Sequence, residues 1–239
     1  MMRLIALVLA LLTALPAGAT PPRYASVLDL PIAISRTHLY LLRSISDNEG
    51  SYFIRTTRRL LVAQNLETGA AERFWPIDVT RETFDDGASP GGVEFTDTRG
   101  PGDILALLRA EGAVPVSVGP ILGWGDDAEA RLQMRNPYRL DETGLVRTGS
   151  GGAAPLIPRA ALEAQVQASL GPVLAAVPVD PGPAGPLDLG AEPVIRDPVD
   201  CTVMGLEANS SPYALFLLAC ENGDFSLSGY QIYLTQRRE

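Results

Sequence analysis

Residues 201–208 (CTVMGLEA), 213–220 (YALFLLAC) and 225–235 (FSLSGYQIYLT) decide the fold of this chain. Each run is rich in aliphatic and aromatic residues and is bounded by turn formers, the pattern of an antiparallel meander. Asn222-Gly223 predicts a type I′ hairpin turn, because both residues tolerate positive φ. A first turn centred on Ser210-Ser211 sets the register of the other hairpin. It places Leu206 opposite Leu215, Val203 opposite Leu218 and Cys201 opposite Cys220. Direct partners in a non-hydrogen-bonded register lie about 4.5 Å apart at Cα, so Cys201 and Cys220 are expected to form a disulfide. The middle strand is apolar at both parities, which predicts a central strand with packing on each side.

The N-terminal part reads as a second meander. Residues 32–45, 51–57, 60–66 and 73–79 are the expected strands, with turns at 47–50 and 67–70. Residues 85–102 hold seven glycines and prolines and read as a loop. A short helix is expected from Asp103 to Ala110, stopped by Gly112, with Ile104, Leu105, Leu107 and Leu108 on its apolar side. Pro115 and Pro120 demote residues 113–122 to an edge strand or a loop. A second helix is expected over 159–170, with Gly171 at its end and Leu162, Val166 and Leu170 spaced by four. The class is therefore α+β and β-rich, with antiparallel N- and C-terminal sheets and about two short helices between them. Residues 178–198 hold six prolines and three glycines and form an extended connector. Two domains would divide there; a single globular domain over 20–239 is the preferred reading.

Met1 to Ala19 predicts export. Arg3 precedes an apolar run from Leu4 to Leu15, Pro16 breaks it, and Ala17-Gly18-Ala19 is a small-x-small cleavage site. The run is short for a membrane span of about 20 residues, so no membrane attachment is expected after cleavage. All 19 basic residues are arginine, and Ala, Gly and Pro abound. Together with the leader this composition points to a bacterial periplasm, with release into the medium as the alternative. A formal net charge of −9 repels phosphate backbones, so nucleic acid is not an expected partner.

Several chemistries are excluded by what the chain lacks. His38 is the only histidine, so a zinc site with several His ligands is ruled out, and no G-x-S-x-G elbow exists to use it in a triad. It is expected to be a partly buried sheet histidine. The absence of lysine removes Schiff-base chemistry and the P-loop lysine together. No metal or cofactor is expected, and no catalytic residue is assigned. An acid cluster at Asp85, Asp86, Asp126 and Asp127 leaves a carboxylate-dependent hydrolase acting on carbohydrate as the alternative function. The first expectation is a non-catalytic periplasmic protein that binds a protein partner or assists an envelope process. Trp124, Arg55, Arg58 and Arg59 are its candidate anchors, since aromatic and arginine side chains dominate interfaces.

Overall fold

The computed structural model describes residues 23–85, 90–98, 100, 102–118, 130–149, 154–176, 194–208, 211–223 and 227–238. Its N-terminal part is a five-stranded antiparallel meander: β1 (Ala25–Ile34), β2 (His38–Asp47), β3 (Ile54–Asn65), β4 (Ala71–Phe84) and β5 (Pro90–Asp97). The turn after β2 is built by side chains. Asp47 and Asn48 accept from the Glu49 and Gly50 amides, which lets Glu49 sit at φ 53° and Gly50 at φ 71°. β3 joins the two strands expected at 51–57 and 60–66, and the register shift between Arg59 and Leu60 absorbs the join. β5 falls where a loop was expected. Pro90, Gly91 and Gly92 begin it, and the alternation from Val93 to Asp97 pairs against β4 despite the surrounding glycines.

After β5, α1 (Ile104–Ala110) begins at Asp103, whose carboxylate accepts from the Ala106 amide, and ends at Gly112, φ 61°. β6 (Val114–Val118) is bordered on both sides rather than lying at an edge. Val114 and Pro115 meet β1, whereas Val116 to Val118 meet β7 (Ala130–Arg135), so the missing amide of Pro115 leaves the β7 ladder whole. β8 (Tyr138–Asp141), β9 (Gly144–Arg147) and β10 (Ile157–Pro158) form a separate small sheet. Gly144 is required in it: its φ is 133°, and a Cβ there would collide with the Ile157 carbonyl.

The second helix, α2 (Arg159–Ala176), runs past its expected end at Leu170 and carries Pro172 inside it. Pro172 cannot donate to the carbonyl one turn earlier. Complete burial of Val173 and near-complete burial of Leu174 offset that loss. β11 (Cys201–Ala208), β12 (Tyr213–Glu221) and β13 (Leu227–Arg237) form the expected C-terminal meander, with Cys201 opposite Cys220 and Val203 opposite Leu218. Leu215 to Leu218 are all buried, on both faces of β12. The last hairpin is longer than the expected two-residue turn, since Glu221 pairs with Gly229. Asn222 instead donates its amide to the carbonyls of Leu227 and Val194, which ties the hairpin to the end of the connector.

The two meanders share one mixed sheet rather than standing as separate antiparallel sheets. β13 runs parallel to β1, and β6 runs parallel to β7. The pairings β1–β6–β7–β11–β12–β13 return to β1 and close a circuit, from which β2 to β5 extend. The larger core cluster draws on the whole chain: Leu41 and Val62, then Leu162 and Val166, then Phe216 and Ile232. A smaller one lies under α1, with Ala33, Tyr40, Leu61, Ala63 and Leu108.

One polar contact crosses the larger core. Asp29 and Arg43 are register partners on β1 and β2, and both side chains are fully buried. Arg43 Nε and Nη2 each donate to the carboxylate at 2.7 Å, a bidentate fork. Arg43 also donates from Nη1 to the Ser169 carbonyl at 2.6 Å and from Nη2 to its hydroxyl at 2.9 Å. The pair therefore fixes α2 against the first hairpin.

Candidate functional site

Cross-strand partners share a face of a sheet, as do alternate residues of one strand. On one face of β1–β5 this rule aligns Ser26, Ser46, Thr57, Thr80 and Phe95 in one row. The neighbouring row is Leu28, Ser44, Arg59, Asp78 and Asp97. Arg55, Glu82 and Val93 continue the face on the side away from that row. Leu28 and Leu30 on β1 are 50% and 54% exposed, and Val93 and Phe95 on β5 are both 61% exposed. Four strand spacings separate these two apolar strips, about 19 Å. Between them lies a floor of short hydroxyl side chains, with the Thr57 hydroxyl 3.4 Å from that of Ser46.

Two of the three expected arginine anchors belong to this face. Arg59 donates to Asp78 at 2.7 Å and keeps 42% of its side chain exposed. Arg55 is 57% exposed, 3.7 Å from Glu82 and stacked 5.2 Å over the Phe84 ring. Arg58 does not join them. It has the opposite parity on β3, its side chain is buried, and it pairs with Glu49 at 3.3 Å, so it cannot anchor a partner on this face. Of the acid cluster, Asp85 is exposed and lies against Gly91. Asp86, Asp126, Asp127 and the candidate anchor Trp124 lie outside the described residues, as does the leader Met1 to Ala19.

A second constellation, which the sequence reading missed, surrounds His38. This histidine opens β2, opposite Asn65. Its Nε2 lies 2.8 Å from Glu72 Oε2 and its Nδ1 2.9 Å from Thr37 Oγ1. Asn65 donates to the other Glu72 oxygen at 2.7 Å. Close by, Arg73 donates to Glu111 at 2.6 Å and stacks over Trp75. The hydrogen bond from His38, and then that from Asn65, holds the Glu72 carboxyl below the usual range. Arg73 does the same for Glu111. Burial, and then the Glu111 charge, pushes the Tyr40 phenol up. The register could have shown Glu72 to a reader only if the bulge between Ala63 and Gln64 were known in advance.

These directions decide what the cluster can do. A glycosidase needs one carboxyl with a raised pKa to act as the acid. Glu72 and Glu111 are both shifted the other way, so this cluster does not supply that acid. An ionised Glu72 only accepts, so Nε2 carries the hydrogen of that bond. The cluster is thus a hydrogen-bonded brace between β2, β4 and the end of α1. Its carboxylates contribute stability that is present above the unfolded-state value of 4.5 and lost as pH falls through their lower folded values. Glu72→Gln should flatten that acid limb in urea unfolding measured between pH 3 and 6. A limb as steep as wild type would show that Glu72 has no linked role. His38→Gln should cost about 1 kcal/mol at neutral pH, one hydrogen bond's worth.

Cys201 and Cys220 are joined, with S–S 2.02 Å and Cα–Cα 4.1 Å, so neither thiol is available for nucleophilic chemistry. Among the described residues no group of three or more His, Cys, Asp or Glu side chains is placed to hold a metal ion. No helix among them is long and apolar enough to cross a membrane. Comparison with protein-family models, with curated proteins and with solved structures finds no match.

Proposed function

We propose that this chain is an exported, non-catalytic binding protein of a bacterial periplasm, and that it docks a partner protein on the face of β1–β5. The observation that carries the reading is the pair of exposed apolar strips, Leu28 with Leu30 and Val93 with Phe95, flanking the hydroxyl floor. Exposed apolar side chains beside polar groups are a feature of interaction surfaces. Arg55 and Arg59 stand among them and supply the planar, hydrogen-bonding anchors that interfaces favour. On the free edge of β5, Glu94 and Asp97 discourage indiscriminate strand addition, which leaves the face rather than the edge as the docking surface. Export is supported by the leader pattern at Met1 to Ala19, and the disulfide is compatible with it.

The reading is tested in the cell that makes the protein. Gel filtration of a gentle periplasmic extract should place the wild-type chain in a complex larger than the monomer. Leu28→Glu combined with Phe95→Glu should shift most of it to monomer size, because two desolvated charges weaken such an interface by tenfold or more. Both positions are exposed, so the melting temperature should stay within a few degrees. Identical elution of wild type and variant would overturn the proposal.

A further inference from the structure

β13 changes neighbours along its length. Its first part pairs with β1, from Leu227 opposite Ala25 to Gln231 opposite Leu28. From Ile232 onward no strand among the described residues pairs with that edge. Side chains satisfy the backbone there instead. The Thr235 amide donates to Gln165 Oε1 at 3.1 Å, and Gln165 Nε2 donates to the Thr235 carbonyl at 2.9 Å. Those are the two bonds that a facing strand residue would exchange with Thr235. Gln64 of β3 donates from Nε2 to the Tyr233 carbonyl at 2.7 Å. One carboxamide on α2 thus stands in for a missing strand, and the helix covers an edge that would otherwise template pairing with another chain.

This junction is weaker than the ladders beside it. Three side-chain hydrogen bonds hold the free edge among the described residues, whereas β12 pairs with β13 without a break from Tyr213 to Glu221. Gln64 Oε1 and Thr235 Oγ1 are buried without a partner among the described residues, a cost that hydration would relieve if α2 lifted. Pro172 removes a backbone bond within the helix itself. Asp29 and Arg43 both belong to the sheet, so their ion pair survives the departure of α2. Only the Arg43 bonds to Ser169 are lost, and water can replace those. The apolar side of the helix, with Leu162, Val166, Leu170 and Val173 fully buried, opposes these effects and keeps it shut at rest. We propose that α2 is a strap over the free edge of β13, pinned by Gln165, and that it lifts as a unit while the sheets stay folded.

The test is native-state hydrogen exchange of the full mature chain, read by NMR at each amide in increasing, sub-denaturing urea. The amides of Glu163 to Leu170 and of Thr235 should share one opening. It should be at least tenfold more frequent than that of Leu215 to Leu218 in β12, and less sensitive to urea because it exposes less surface. Gln165→Ala should speed Thr235 exchange at least tenfold. Gln167→Ala lies two positions along, on the other side of the helix, and should leave Thr235 within about twofold of wild type. A single opening shared by α2, Thr235 and β12 would mean that the helix leaves only when the whole chain unfolds, and would overturn the strap. Thr235 exchange unchanged by Gln165→Ala, or equally accelerated by Gln167→Ala, would overturn the pin. The wild-type comparison decides the strap even if the Gln165 variant fails to fold.

Discussion

Asp29→Ala should lower the unfolding free energy by about 3–5 kcal/mol, the cost of leaving the other partner of a buried ion pair unpaired. The cost does not come from the lost attraction alone. Arg43 would remain fully buried with its charge uncompensated, keeping among the described residues its hydrogen bonds to the Ser169 carbonyl and hydroxyl. Removing both charges should behave differently. Asp29→Leu with Arg43→Met replaces the pair by apolar groups and should recover most of the loss, because the desolvation penalty disappears along with the attraction. Urea unfolding of the wild type and the two variants measures this directly. A loss below about 1 kcal/mol for Asp29→Ala would mean that water reaches Arg43 and that the pair does not hold α2 down.

Cys201→Ser with Cys220→Ser should cost about 3 kcal/mol, the chain-entropy figure for a loop of this size. The cysteines are 19 residues apart and close the hairpin between β11 and β12. That hairpin is part of the circuit returning to β1 through β13, so the bridge restrains a strand pair on which the closure depends. Dithiothreitol on the wild type should reproduce the shift, and should do nothing to the double variant. An equal effect of the reductant on both would place its action outside this disulfide. A peptide map with free thiols, or with a cross-link between chains, would contradict the intrachain bridge.

What could be read in advance follows the range of the interactions involved. The register of β11 against β12 was legible because one short turn sets it and Cys201 and Cys220 confirm it. The cap at Asp103 and the stop at Gly112 were legible because the signals are local. β5 was hidden because glycines and prolines around Val93 to Asp97 read as loop, although the strand is held by its pairing to β4. The length of α2 was hidden too, since local rules end a helix near Gly171-Pro172 and only the burial of Val173 and Leu174 argues otherwise. The parallel contact of β1 with β13 spans nearly the whole chain and carries no local mark. At the candidate site the same limit applied. The arginines of 55–59 were visible as a group, but assigning Arg58 to the buried face needed the strand parity that β3 supplies. The exposure of Leu28 and Leu30 likewise depends on which face the rest of the chain leaves uncovered.

The partner-docking claim is tested most directly by placing a photoreactive phenylalanine analogue at Phe95 and, in a separate protein, at Leu105. Both are large, exposed apolar positions, 61% and 62% accessible, but Leu105 lies on α1 and not on a strand of the docking face. Irradiation of cells making each protein should give a discrete adduct of one molecular mass from position 95 and none of that mass from position 105. No adduct from 95, or the same adduct from both positions, would contradict the assignment of the β1–β5 face as the docking surface.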